Sequence, residues 1–304
     1  MNKVTKGFII AAVCCIVIGL CVTLGTAAAG GIGAARGVLN QEGISFFSWD
    51  PDWNSIEINL DADDFEDIFD NGHEVYRQDA SLTFPVNEAN YMSIVLGAGK
   101  VELGTTNQKE IQIRTENVRR FQAYTEDDTL YIKGVNRNVG YDGTIYIDIP
   151  KDKKWEDVSV SAGASQIIVS DLTTESLVTE IGAGNITFEN LSAVSGSIKV
   201  GAGKTSIREG TFQDADIEVG MGDFSMSGEI TGDLDAECSM GNLSLQLGGR
   251  EEDHNYRIEC AVGNISFNGS NLSGVAADRT IDNDAASDYD LECAMGNIQV
   301  SFEQ

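Results

Sequence analysis

Ile181-Gly-Ala-Gly184, Val200-Gly-Ala-Gly203, Val219-Gly-Met-Gly222 and Cys238-Ser-Met-Gly241 stand 19 residues apart. Gly99, Gly163, Gly263 and Gly296 sit in the same apolar frame, so the spacings along the chain run 64, 21, 19, 19, 19, 22 and 33. Around Gly222, Ile217 and Val219 lie five and three residues before, and Phe224 and Met226 two and four after. The same offsets hold Ile258, Cys260, Ile265 and Phe267 around Gly263, and Leu291, Cys293, Ile298 and Val300 around Gly296. Side chains of a strand alternate faces with period two, so this frame changes parity at the glycine. One residue is absorbed there, which demands a bulge or a sharp corner. Glycine suits that corner because it reaches positive φ freely and lets backbones approach closely. A third apolar anchor follows at Leu172, Leu191, Phe212 and Ile230. Two strands about a corner plus a third anchored segment make one coil, and a fixed period means that coils stack. The expected fold is all-β: a β-solenoid of stacked repeats of 19–22 residues, over residues 90–304.

Outside the regular run the pattern loosens. Residues 94–103 make a first copy of the repeat, and Ile111-Gln-Ile113, Leu130-Tyr-Ile132 and Ile145-Tyr-Ile-Asp-Ile149 alternate as half-buried strands do. The interval of 64 is therefore an excursion holding extra strands, closed by Pro150. The last interval, of 33, is expected to hold a loop, Gly269 to Asp288, projecting from the stack.

The N-terminus reads differently. Residues 1–7 carry Lys3 and Lys6, and Phe8 to Ala29 is free of charge. About 20 apolar residues suffice to span a bilayer as a helix. Residues 8–30 are expected to form a single transmembrane signal-anchor, with the lysines holding the short N-terminus in the cytoplasm and everything after it outside. A cleaved signal peptide is the rival, since Ala27-Ala28-Ala29 offers small residues for cleavage. Residues 31–89 read as an acidic juxtamembrane spacer: 50–79 hold eleven acidic residues against Arg77 alone, with a short helix near Phe65 to Phe69.

The whole chain carries 48 acidic and 20 basic residues, a formal charge of −28. That excludes nucleic acid and anionic lipid surfaces as partners, because either demands a basic face. Among the six cysteines, Cys14, Cys15 and Cys21 fall in the membrane segment. Cys238, Cys260 and Cys293 each stand three residues before a repeat glycine, where Val160, Ile181, Val200 and Val219 stand in other copies. They replace core aliphatics and should form a column of buried thiols. His73 and His254 lie outside any ligand spacing, so no metal set is expected.

Several local motifs dissolve in the repeat. Gly201-Ala-Gly-Lys-Thr205 resembles the end of a phosphate loop, yet Ile198 stands where the first glycine belongs, and Lys204 is the repeat's polar turn position, shared with Asn185, Asp223, Asn242, Asn264 and Asn297. Three of the Asn-x-Ser/Thr matches, at Asn185, Asn242 and Asn264, are the same position. Asp282, Asp284, Asp288 and Asp290, and separately Asp61, Asp63 and Asp64, cluster without matching a calcium loop. Some β-helix enzymes cleave glycans with carboxylates and cations on one wall, a pattern for which Asp214, Asp216 and Arg208 are candidates, and nothing sets them apart from surface. No catalytic, cofactor-binding or metal-binding residues are assigned.

Ile181-Gly-Ala-Gly-Asn-Ile-Thr-Phe188, Cys260-Ala-Val-Gly-Asn-Ile-Ser-Phe267 and the terminal Cys293-Ala-Met-Gly-Asn-Ile-Gln-Val300 resemble the repeats of the bacterial putative-adhesin β-strand-repeat family, a membrane-anchored group of unknown function. The resemblance spans residues 90–304 and implies an anchored, extracytoplasmic β-solenoid without catalytic residues. The function expected is non-enzymatic binding at the bacterial surface, with a cell-envelope or host glycan or protein as ligand. An envelope-stress regulator acting through a membrane partner and a glycan-cleaving β-helix enzyme are the alternatives.

Overall fold

A computed structural model of the chain describes Phe69 and residues 72–135, 143–182 and 184–302. The expected membrane segment, 8–30, and the helix expected near residue 65 lie outside the described residues. Two units divide at Glu66/Asp67, and all described residues belong to the second. Among the described residues, no helix is long and apolar enough to cross a membrane.

The described residues are almost entirely β. In the regular run, β7 (Trp155–Ile181), β8 (Asn185–Val200), β9 (Lys204–Val219) and β10 (Asp223–Ile230) pair parallel at a shift of 19, as Ile186↔Thr205 and Val200↔Val219 show, falling to 18 after Met226 in β10. Each coil has three sides. The first side runs up to the repeat glycine (214–219, for example), the second follows it (204–208), and a short third carries the later anchor (210–212). Inward positions bury Ile198, Val200, Ile186, Phe188, Ile217 and Val219 to between 0 and 2% exposure. At roughly 25 cal/mol per Å2 such burial supplies the main driving force for stacking.

The reason for glycine at the first corner differs from conformational need. Gly184, Gly203, Gly222, Gly241, Gly263 and Gly296 all keep φ outside the left-handed region. A Cβ on Gly203 would instead stand 2.0 Å from the Gly184 carbonyl oxygen, and one on Gly241 1.9 Å from that of Gly222. Close coil-to-coil approach excludes the side chain. The left-handed residues mark the second corner, at Asp171, Asn190 and Glu209 with φ of 54–56°; in the next coil a bulge after Met226 sets Gly228, at φ 148°, opposite Gly210 instead. Asn190 Nδ2 donates to Asp171 Oδ1 at 2.7 Å, a local bond that helps a non-glycine residue hold that backbone.

Register corrects one repeat position. Gly99 pairs with Ser165, and Gly184 stacks on Ser165, so Gly163 is not the corner residue of its coil. With Ser165 at the corner, Val160 and Ala162 fall five and three before it and Ile167 and Val169 two and four after, all buried. The serine hydroxyl lies buried without a hydrogen-bond partner. The third anchors also fall into two columns: Leu172 pairs with Leu191, whereas Phe212 pairs with Ala193 and Ile230. The Phe212 ring fills the space that Gly196 leaves open, since a Cβ there would lie 2.5 Å from Cε1.

At both ends, sequence order and spatial order part. At the N-terminal end, β5 (Thr129–Val135) and β6 (Thr144–Pro150) pair parallel with β2 (Tyr91–Thr106), so the excursion supplies a coil outside the first repeat. Antiparallel strands then cover it: β4 (Arg120–Glu126) on β5, β3 (Glu110–Glu116) on β6, and β1 (Ser81–Pro85) on β3. Thus β1, from the acidic stretch 31–89, joins the sheet.

At the other end, β11 (Leu234–Cys238) and β12 (Asn242–Leu247) are followed in space by β15 (Asp288–Cys293) and β16 (Asn297–Phe302), the last copy in sequence. Only then comes β13 (Asn255–Phe267), paired parallel with both. The expected projecting loop is instead β14 (Ser270–Ile281), antiparallel along β13. Its segment lacks the glycine frame, and covering the outer edge of β13 satisfies backbone groups that would otherwise invite other strands.

Candidate functional site

Outward positions on the first side of each coil lie six and four residues before the corner glycine. In the C-terminal half they are Asp216 and Glu218, Asp235 and Glu237, Asp290 and Glu292, and Arg257 and Glu259, in spatial order. In-register pairing places Asp235 between Asp216 and Asp290, and Glu237 between Glu218 and Glu292. Glu259 next pairs with Asp278 on β14. With adjacent strands about 4.8 Å apart, two columns of carboxylates climb one flat face.

Cations stand at the boundaries. Lys199 Nζ reaches Glu218 Oε1 at 2.7 Å on the lower side. Arg257 bridges Asp290 at 3.1 Å and Glu259 at 2.7 Å on the upper side. Insertion of the last coil determines this arrangement: stacked in sequence order, Arg257 would divide Asp235 from Asp290, whereas here the three aspartates are contiguous.

The face is electrostatically costly. Partial burial, and next Glu218, raise the Asp216 carboxyl above its ordinary value. Burial followed by Asp290 does the same to Asp235, and burial followed by Glu218 and Glu292 to Glu237. Like charges directly opposite on neighbouring strands destabilise a sheet. One carboxylate oxygen, Asp290 Oδ1, is also shielded without a hydrogen-bond partner.

The residues singled out in the sequence are mostly engaged elsewhere. Arg208 pairs with Glu189 at 2.7 Å on the second side, so it does not meet Asp216. Asp214 Oδ1 accepts the Asp233 amide at 2.9 Å, and Asp233 Oδ1 accepts that of Asp288 at 2.9 Å, a chain of side-chain bonds along a corner. Asp282 accepts the Asp284 amide, and Asp288 accepts Asn255 Nδ2, so the loop aspartates do not converge. Lys204 lines up with Asn185, Asp223, Asn242, Asn297 and Asn264 in one outward column. Asn242 and Asn297 each donate to the residue below, at 2.7 and 2.9 Å.

The cysteines do form the inward column, with Cys293 between Cys238 and Cys260, and all three are free and buried. Burial and the neighbouring Cys293 push Cys260 up to about 11; the hydrogen bond between Cys238 and Cys293 raises Cys293 and lowers Cys238. Protonated thiols pack as apolar groups and ligate metals poorly. Among the described residues, no group of three or more His, Cys, Asp or Glu side chains could hold a metal ion.

One arrangement is invisible in the sequence. His254 Nδ1 lies 2.6 Å from Ser287 Oγ, and His254 Nε2 3.3 Å from the Tyr289 hydroxyl, which donates to the Ile230 carbonyl at 2.7 Å. The His254 and Tyr289 rings stack at 4.2 Å. His254 and Ser287 are 5 and 7% exposed, and no carboxylate orients the imidazole from its other nitrogen, so the pair lacks the access and the third group of a hydrolytic site. It ties the inserted coil to both neighbours.

A family model described as Toastrack DUF4097 matches residues 90–271, more than half of the chain. The chain belongs to the Toastrack DUF4097 family. The match starts just before β2 and ends within β14, so the inserted coil of this Toastrack protein lies beyond the matched span. Among solved structures, it is similar to a putative adhesin from Bacteroides fragilis at 18% identity, covering 74% of this chain and 98% of that one with a TM-score of 0.37. A putative adhesin from Parabacteroides distasonis is similar at 15% identity, with 73 and 97% covered and a TM-score of 0.36. A putative cell adhesion protein from Clostridium sporogenes is similar at 11% identity, with 74 and 99% covered and a TM-score of 0.31. No curated protein matches the chain.

Proposed function

We propose that this Toastrack protein is a non-enzymatic, adhesin-like binding protein, anchored in the membrane by residues 8–30 and exposing its β unit outside the cytoplasm. Its binding surface is the acidic face that carries Asp216, Glu218, Asp235, Glu237, Asp290 and Glu292. The observation that supports this reading is the register of like charges. A fold that needed only solubility could scatter its acids. Here they stack rung on rung at a cost in stability, and such local conflicts concentrate where a surface has work to do. The face suits a cationic partner, for which electrostatic steering raises the rate of encounter.

Full-length protein should be retained on immobilised cell-envelope material or on host protein and glycan arrays without turnover of the ligand. An Asp235→Asn/Glu237→Gln variant should lose most of that retention, and raising salt should weaken the wild type in the same direction. Hydrolysis of a glycan would sink the non-enzymatic reading. Retention untouched by the double variant would move the site off this face. Protease added to intact cells should remove the β unit, and full protection would contradict the external placement.

A further inference from the structure

The carboxylate column has an apolar companion. Two positions nearer the corner the coils present small residues: Gly220, Ser239, Ala294 and Ala261, all half-buried. At the corner itself Met221, Met240, Met295 and Val262 follow one another. Their order is fixed by backbone bonds of 2.8 Å, from Met240 to Gly220, Met295 to Ser239 and Val262 to Ala294. Met295 and Val262 are 41 and 52% exposed, among the few large apolar side chains in the described residues that face solvent so openly. Glu218, Glu237, Glu292 and Glu259 stand on the same four rungs, across the strip of small residues.

We propose that this strip receives one cationic amphipathic helix of a partner protein, its apolar residues on the methionine ridge and its Lys or Arg residues on the glutamate column. The proposal rests on the acidic face being the binding surface and names what binds there. Charge complementarity selects a basic partner, and the ridge requires that partner to be apolar along one edge. Spacing selects the helix. Four rungs about 4.8 Å apart span about 14 Å. Three turns of helix cover about 16 Å, at 5.4 Å each. An extended chain returns a side chain to the same face only every 6.6–6.8 Å or so, about 20 Å over three repeats, and falls out of step. Unbranched methionines absorb the residual mismatch, because their three rotatable bonds let the thioether follow a partner. The strip of small residues lets the helix backbone approach.

The test uses the full-length chain in zwitterionic nanodiscs, with empty nanodiscs as reference. The probe is a fluorescent Leu/Lys peptide of about 18 residues, five turns, its leucines at helical spacing. A scrambled peptide of the same composition is the control. The patterned peptide should bind at least about 10-fold more tightly than the scrambled one. Met240→Gln/Met295→Gln should weaken it by about 10-fold with no change in melting temperature, and Glu237→Gln/Glu292→Gln should weaken it and flatten its salt dependence. Equal binding of both peptides, or a methionine pair without effect, overturns the helix. If the methionine pair keeps full envelope retention while the acidic variant loses it, the binding face stands and the helix inference falls. If the wild type neither binds the patterned peptide nor is retained on envelope material, both fall.

Discussion

The middle of the stack and its two ends are built by different rules. From Trp155 to Leu247 each coil lies on the one before it in sequence, at a shift of 19 or close to it. At the ends, 129–150 lies outside 91–106, and 288–302 slips between 234–247 and 255–267. The middle is held by repetition: corners that recur in register and inward columns of mostly apolar residues on each side. The ends are held by particular groups. Lys153 Nζ donates to the Val86 and Ala89 carbonyls and lies 4.7 Å from the Trp155 ring, and buried Gln122 donates to His73 O at 3.1 Å. At the other end Tyr289, His254 and Ser287 do the same work. Local repetition stacks coils but leaves two edges, and closing an edge requires pairings distant in sequence.

This contrast can be broken where it is strongest. Gly241→Val forces a side chain to within 1.9 Å of the Gly222 carbonyl oxygen, backbone that cannot move aside without shifting the next coil. A loss exceeding about 4 kcal/mol is expected, read by chemical denaturation. Val219→Asp buries an unpaired carboxylate at a position 2% exposed, at a cost of several kcal/mol. Circular dichroism should show the array melting cooperatively, and a stable, soluble variant would refute the inward assignment.

Changes at the C-terminal end should be smaller and local. Tyr289→Phe removes the donor to Ile230 O and should cost about 1–2 kcal/mol. Hydrogen exchange should then speed up in β13 and β15 before it does in β8 and β9. Acidification should single out the same end. Burial lowers the His254 value below its ordinary 6.5, with Asp253 opposing it, so the unfolded chain takes up the proton first. The stability this contributes is present above pH 6.5 and is lost as pH falls below it, toward the folded value. Asp216, Asp235 and Glu237 have the opposite sign: their raised values mean that repulsion on the acidic face relaxes as pH falls. Protection against exchange at pH 5, corrected for the slower intrinsic rate, should therefore fall about His254 and β15 rather than uniformly, and a uniform fall would contradict the role given to His254. At the far end of the scale, Gly104→Ala meets no atom within 4 Å and should change stability by no more than about 0.5 kcal/mol.

Much of the fold was legible in the sequence because a strand's parity is local. The frame about each glycine identified the inward residues, the cysteine column and the outward row from Asn185 to Asn297 before any pairing was known. Parity does not encode which coil lies next to which. A spacing of 22 and a spacing of 33 are equally compatible with stacking in order or with insertion, and only β14 on the outer edge of β13 decides between them. Gly163 fitted the frame as a glycine, whereas the strand pairings place Ser165 at the corner. The acidic face was readable in principle. Asp-x-Glu recurs at 216–218, 235–237 and 290–292, always at the same distance from the glycine. Taken singly each pair is ordinary surface, and the columns emerge only with the spatial order of the coils.

That order is what a single NMR measurement tests most directly. The Met295 amide donates to Ser239 O at 2.8 Å, and Val262 to Ala294 O. Interstrand NOEs should therefore join Met295 to Ser239 and Met240, with Val262 seen from Ala294 and Met295 on one side and from Val275 of β14 on the other. NOEs joining Val262 to Ser239 and Met240, with none from Met295, would put the coils back in sequence order, set Arg257 between Asp235 and Asp290, and dissolve the continuous acidic face.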